Sequence, residues 1–278
     1  MANTKKEEQE LLALRRRIFI TGYKGGMAHL ASCYSCLEML YALYLKGILR
    51  YDPADAKWAD RDRFILSKGH AGLALYSVLE KAGLISGEMI DTYLTGESEI
   101  GGEPCMRDCE WVEATTGSLG HGLSMGLGMA MGLKLNGSPA KVYVMLGDGE
   151  LQEGTVWEAV QSAPAFGVDN LSVILDSNRI QKMDFVSRTI GDPNWENKFR
   201  SFGWDVLETD GHDLEAFSRT VQKENDTGRP RLIIADTVKG KGVSIMEDNP
   251  NWHFKLPGRK ELKYFLEELS IDKSELEK

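Results

Sequence analysis

Five short apolar stretches punctuate the chain: Phe64-Ile65-Leu66, Val142 to Leu146, Leu171 to Leu175, Trp204-Asp205-Val206-Leu207 and Arg231-Leu232-Ile233-Ile234-Ala235. Each has strand length and is rich in branched side chains, and the segments between them carry helical patterns. Strands that are apolar on both faces and alternate with helices predict an α/β fold, a single domain with a mostly parallel sheet flanked by helices. A helix through Leu37, Met39, Leu40, Leu43 and Tyr44 is one such element, and Ala159 to Phe166 holds the end of another, stopped near Pro164. The first residues, Lys5-Lys6-Glu7-Glu8-Gln9-Glu10 leading into Leu11-Leu12-Ala13-Leu14, read as a charged helix and not as a signal peptide. Residues 259–278, with Leu262, Tyr264, Phe265, Leu266 and Leu269, read as an amphipathic tail helix free to dock on a partner, so the main domain is placed at 1–258.

Composition narrows the class without choosing a function. At 278 residues, 42% hydrophobic and 27% charged, the chain is long enough to bury one large core. A net charge of -9 argues against nucleic acid or an anionic membrane as partner. No apolar run approaches the length of a membrane span, so a cytoplasmic protein is expected. Cys33-Tyr34-Ser35-Cys36 has the spacing of a metal pair, but its place at the start of an apolar helix favours plain packing of thiols that a reducing cytosol leaves free.

The chemistry concentrates after two of the strands. Val142 to Leu146 runs into Gly147-Asp148-Gly149-Glu150, and Leu171 to Leu175 runs into Asp176-Ser177-Asn178. Both turns therefore sit at strand C-termini, where open parallel sheets bind ligands. A carboxylate from Asp148, an amide oxygen from Asn178 and a backbone carbonyl would suit magnesium, which takes oxygen ligands and keeps sites for a diphosphate and water. Gly149 lets the backbone approach a phosphate. Gly-Asp-Gly alone is also ordinary turn chemistry, and it is the second strand with Asn178 that gives it meaning.

Together these segments resemble the diphosphate-binding motif of thiamine diphosphate enzymes, and within them the transketolases, in particular the N-terminal subunit of split, two-chain forms. Four further segments carry the likeness over about residues 10–258. Ser67-Lys68-Gly69-His70-Ala71-Gly72-Leu73-Ala74-Leu75-Tyr76 is similar to the block whose histidine reaches the diphosphate. Thr115-Thr116-Gly117-Ser118-Leu119-Gly120-His121-Gly122 is similar to the loop beside the aminopyrimidine, with His121 where the family has glutamine. Met27-Ala28-His29-Leu30-Ala31-Ser32 resembles the segment that presents an active-site histidine, and Trp252-His253 matches a Trp-His near the domain's end.

The resemblance implies thiamine diphosphate and Mg2+ as cofactors and transfer of a two-carbon ketol unit from a ketose, phosphorylated in the family, to an aldose. It implies metal ligation by Asp148, Asn178 and the Ile180 carbonyl, and cofactor contacts from His70, Gly117, Ser118, Leu119, Gly149, Glu150, Asn178 and His253. His29, His70 and His253 are then the catalytic histidines, and His121 a neighbour of the cofactor. Glu153 and Glu158 match glutamates that link active sites across a subunit interface. The carboxylate that activates the cofactor belongs to a pyrimidine-binding domain absent from these residues, which implies a C-terminal partner subunit, as an α2β2 heterotetramer. Glu103 stands where the family has a histidine that contacts donor hydroxyls; it either enters the site and alters donor choice or lies solvated on a shifted loop. His212, in Asp210-Gly211-His212-Asp213, reads as turn and helix cap, with Asp213 accepting from the helix. The α subunit of a thiamine-dependent 2-oxo acid dehydrogenase shares the Gly-Asp-Gly and Asn pair but not the other blocks; a non-catalytic thiamine diphosphate-binding subunit is a third reading.

Overall fold

The computed structural model describes residues 2–27, 29–182 and 184–277, which leaves Ala28 of the first histidine segment outside the described residues. A five-stranded, wholly parallel sheet lies at its centre, in the order β1-β2-β3-β5-β4. The strands are β1 (Arg63–Leu66), β2 (Val142–Gly147), β3 (Leu171–Ser177), β4 (Asp205–Asp210) and β5 (Arg231–Asp236). All five apolar stretches of the sequence thus become strands, the fourth starting one residue late and running into a charged stretch at the sheet's edge.

Alternation along each strand divides the interior into two cores. Tyr143 and Met145 of β2, with Ile174 of β3 and Ile233 of β5, face a layer built from α1 (Ala2–Gly25), α2 (Leu30–Ser35), α3 (Leu37–Leu45), α4 (Gly72–Lys81) and α10 (Leu214–Gln222). Val142, Val144 and Leu146, with Leu171, Val173 and Leu175, face the opposite layer, built from α6 (His121–Leu135), α7 (Gly154–Ala165) and α9 (Trp195–Ser201). Two short helices, α5 (Gly87–Asp91) and α8 (Val186–Ile190), lie in the connections. Pro164 falls in the last turn of α7, as its ring requires.

The tail departs from expectation. Its helix α11 covers only Leu262–Glu268, and Phe265 and Leu269 are fully buried. Phe265 stacks on Phe19 of α1 at 4.6 Å and lies 5.5 Å from Trp252. Its apolar face therefore packs on the chain's own first layer, and Phe265, Leu269 and Ile271 join that layer's core. Cys33 and Cys36 are fully buried in that layer, and no group of three His, Cys, Asp or Glu side chains suited to a metal occurs among the described residues. No helix among them is long and apolar enough to cross a membrane.

Parallel strands bring all their C-termini to one edge. That edge receives Ser67-Lys68 from β1, Asp148 from β2, Asn178 from β3 and Thr237 to Lys239 from β5.

Candidate active site

A cleft of about 310 Å³ opens along this edge. Three histidines from distant parts of the chain meet in it. His29 precedes α2, His70 sits in a 3-10 turn after β1 (Gly69–Ala71), and His253 follows a second such turn (Pro250–Trp252). Their ring centroids are 5.1 Å apart for His29 and His70, 5.7 Å for His29 and His253, and 5.8 Å for His70 and His253. Burial, followed by nearby lysines, pushes His29 down to about 4 and His253 to about 3, and holds His70 well below the usual imidazole range. All three are neutral at pH 7 and can each donate and accept a hydrogen bond.

Positive charge comes instead from lysines. Lys239 is buried; its Nζ lies 3.2 Å from His253 Nδ1 and donates to the Ile180 carbonyl at 3.3 Å. An ammonium can only donate, so Nδ1 of His253 accepts and its proton sits on Nε2. Burial, then Lys68, pushes Lys239 down to about 8. Lys68 is itself buried and ion-paired with Asp176, which also accepts from Ser35 Oγ (2.7 Å) and Thr237 Oγ1 (2.5 Å). Burial pushes the Asp176 carboxyl up, yet Lys68 and the two hydroxyls outweigh it and keep the group ionised. A charge within an otherwise apolar central strand needs such partners.

The expected metal ligands share the cleft. Asp148, Asn178 and Ile180 all line it. Asp148 is 3% exposed; one oxygen, Oδ2, accepts from the Arg179 amide at 2.6 Å. It makes no ion pair among the described residues, and burial drives its carboxyl up to about 7. Asn178 is oriented by its amide nitrogen, which donates to Ser35 Oγ at 3.0 Å, while its oxygen takes the Ile180 N–H at 3.1 Å. A buried carboxylate short of a cation, beside an amide oxygen and a carbonyl, is an oxygen-only set with one anionic member. Those residues fit magnesium shared with a diphosphate.

The Gly69 turn and the Gly117 loop touch backbone to backbone: a Cβ on Gly69 would lie 2.6 Å from the Gly117 nitrogen. Gly117 has φ of +130°, and a Cβ there would overlap the Glu103 carboxylate. Glu103 borders the cleft and is exposed, its backbone carbonyl accepting from Tyr76 Oη at 3.2 Å. Buried hydroxyls without partners occur at Ser32 and Thr116, on segments that border the cleft.

Several expected contacts are placed elsewhere. Glu150 borders the cleft, but its carboxylate is spent on the chain: Oε1 accepts from Ser67 Oγ and from the Gly120 amide (2.9 Å), and Oε2 from the Gly147 amide (3.2 Å). It ties three cleft loops together, and an anion turned to a diphosphate would be repelled, so its role is corrected from cofactor contact to scaffold. Leu119 and Gly149 line the cleft, whereas Ser118 is outside it. His121 is exposed, its Nδ1 3.2 Å from the Ser118 and Leu119 carbonyls, beside but not lining the cleft. Glu153 and Glu158 lie at the start of α7, apart from the histidines.

Sequence reasoning missed Lys68, Asp176 and Lys239. A signal was present: Asp176 lies within the C-terminal end of an apolar strand, and Lys68 and Lys239 two and three residues beyond such ends, where all three are buried.

A model of the family "Transketolase, thiamine diphosphate binding domain" matches residues 20–276. The chain is 39% identical over 265 residues to one subunit of the apulose-4-phosphate transketolase of Phocaeicola vulgatus, covering 95% of this chain and 94% of that one. It is 36% identical over 225 residues to a 6-deoxy-6-sulfo-D-fructose transketolase subunit of Clostridium sp., covering 81% and 82%. The transketolase structure from Campylobacter jejuni superposes with a TM-score of 0.85 at 28% identity, over 95% of this chain and 43% of that one. The chain thus spans under half the length of that solved enzyme but nearly all of the subunit from Phocaeicola.

Proposed function

The chain belongs to the transketolase family, in its thiamine diphosphate-binding domain, and from that premise we propose that it is the diphosphate-holding subunit of a two-chain transketolase, moving a two-carbon ketol unit from a phosphorylated ketose to an aldose. The observation that carries this reading is the meeting of three neutral histidines with the Asp148, Asn178 and Ile180 oxygens in one cleft. When bound, thiamine diphosphate supplies a carbon nucleophile for breaking a bond beside a carbonyl.

The chain's own groups then divide the remaining work. Asp148, Asn178 and the Ile180 carbonyl hold Mg2+. His70, Gly149, His253 and the Lys239 ammonium face the diphosphate, and Gly117 and Leu119 the pyrimidine. His29, neutral and the partner of both other histidines, orients donor hydroxyls and exchanges a proton with them. Glu103 sets a negative wall opposite the lysines. Glu153 and Glu158 belong to a subunit contact in an α2β2 assembly whose second chain carries the pyrimidine-binding domain; the relatives' being named as subunits supports a second chain. A cytoplasmic setting belongs to the same proposal.

The test is to purify the chain with its partner and assay ketol transfer with thiamine diphosphate and Mg2+. Asp148→Ala and Asn178→Ala should each weaken calorimetric binding of the cofactor by several kcal/mol while leaving the fold intact, since charge-assisted contacts are the strong ones. Unchanged affinity in both variants would overturn the metal assignment.

A further inference from the structure

His212 reads in the sequence as part of a turn, yet its ring is only 13% exposed and fully engaged. Nδ1 lies 3.0 Å from Glu38 Oε2, and Nε2 accepts the Val238 N–H at 2.8 Å. The ring is therefore a neutral imidazole with its proton on Nδ1, donating to the Glu38 carboxylate. Glu38, on α3, also pairs with Arg15 of α1, and both are buried. Burial pushes the Glu38 carboxyl up, but His212 and Arg15 together outweigh it and keep the group ionised. Arg15 then turns its Nε to the Lys241 carbonyl at 2.9 Å.

The two ends of this chain of contacts grip the same four residues. His212 holds Val238 and Arg15 holds Lys241, with Lys239 and Gly240 between them. Gly240 adds a third tie, its N–H donating to the Ala31 carbonyl at 3.0 Å. Both Gly240 (φ +84°) and Gly242 (φ +97°) adopt left-handed backbone. A Cβ on Gly240 would lie 2.6 Å from Met246 Cβ, and one on Gly242 would lie 2.7 Å from Arg15 Nε. This backbone path lets the ion network close on the turn and sends the Lys239 side chain into the cleft, against His253 and the Ile180 carbonyl.

We propose that Arg15, Glu38 and His212 are positioning residues: a buried clamp, outside the cleft, that fixes the 238–241 turn so that the Lys239 ammonium is delivered to an anionic ligand in the cleft. The clamp stands on contacts within this chain; its consequence for cofactor binding rests on the function proposed above.

Two measurements on the full chain with its partner subunit separate these. The first is residue-resolved acylation of lysines by a water-soluble N-hydroxysuccinimide ester, read by mass spectrometry. Lys239 is 3% exposed and Lys68 is 1% exposed, so both react slowly in the parent protein. His212→Ala should raise Lys239 labelling about tenfold, the factor set by losing one buried hydrogen bond, with Lys68 labelling unmoved. His212→Gln, which can still accept from Val238 and donate to Glu38, should restore slow labelling. If Lys239 labelling does not change in His212→Ala, or rises only in step with Lys68, the clamp is refuted.

The second is a double-mutant cycle on calorimetric affinity for thiamine diphosphate with Mg2+. His212→Ala should weaken binding about tenfold in the parent but have little further effect in a Lys239→Met background, because it acts through that lysine. Equal losses in both backgrounds would overturn the positioning role. If His212→Ala raises Lys239 labelling selectively while the parent complex shows no affinity for the cofactor, the clamp stands and the proposed function falls.

Discussion

Removing the carboxylate of Glu150 should cost fold stability before it costs chemistry. The group is 2% exposed and receives three donors from three separate loops: Ser67 Oγ, and the amides of Gly120 and Gly147. In Glu150→Gln the amide oxygen can keep the two donors on the Oε1 side, while its NH2 is forced against the Gly147 N–H. One charge-assisted bond is lost and two donors face each other, a change of about 1.5 to 3 kcal/mol. Glu150→Ala strands all three donors in a buried space and should cost about 3 to 5 kcal/mol, as removing one partner from a buried polar network does. Urea unfolding of both variants alongside the parent measures these differences directly. Losses within about 0.5 kcal/mol, the range of ordinary surface substitutions, would refute the scaffold role. Reduced cofactor affinity without any stability loss would do so too, and would return Glu150 to the diphosphate.

Three further outcomes follow from the cleft. The purified chain, free of any copurified partner, should show no ketol transfer, and turnover by it alone would dispose of the two-chain reading. Glu103→His should shift the ratio of kcat/KM between a pentulose phosphate and an uncharged ketose by about tenfold towards the phosphate, the size of one altered hydrogen bond; an unchanged ratio in a two-donor competition would make Glu103 a loop residue only. His29 and His253 have folded values of about 4 and about 3, below the unfolded value of roughly 6.5. Protons therefore bind the unfolded chain first, and stability is complete above that value and lost as pH falls from it towards about 4 for His29 and about 3 for His253. Urea midpoints measured from pH 7 to 4 should fall less in His29→Gln than in the parent, and parallel slopes would show that His29 is not held neutral.

The strands were legible because a central parallel strand is apolar on both faces, so β2, β3 and β5 appear as uninterrupted runs with their boundaries marked by Gly147, Ser177 and Asp236. The histidines were legible through their motifs. Less visible was what lies under the cleft. Nothing local in the sequence pairs Lys68 with Asp176, or Glu38 with His212, since those contacts depend on which strand ends come together. Glu150 misled for a related reason: its position beside Asp148 places it at the cleft, but only the fold shows that Ser67 and Gly120 have claimed its oxygens. The tail misled because an amphipathic pattern announces a buried face without naming its partner, and α1 of the same chain supplies it.

The alternation of β3 between two cores bears on how the protein can come apart. Ile174 serves one helical layer and its neighbours Val173 and Leu175 the other, so stripping either layer leaves the sheet with a bare apolar face. Neither layer can melt as an independent unit, and local opening is confined to edges and loops. The cleft draws His29 and Lys239 from the first side, where Ser35 also holds Asn178 from behind, and its loops are braced by Glu150 at the threshold of α7 on the second. Ligand binding in the cleft therefore reports on the whole domain: a chain that has lost one layer offers no weakened version of the site, but none.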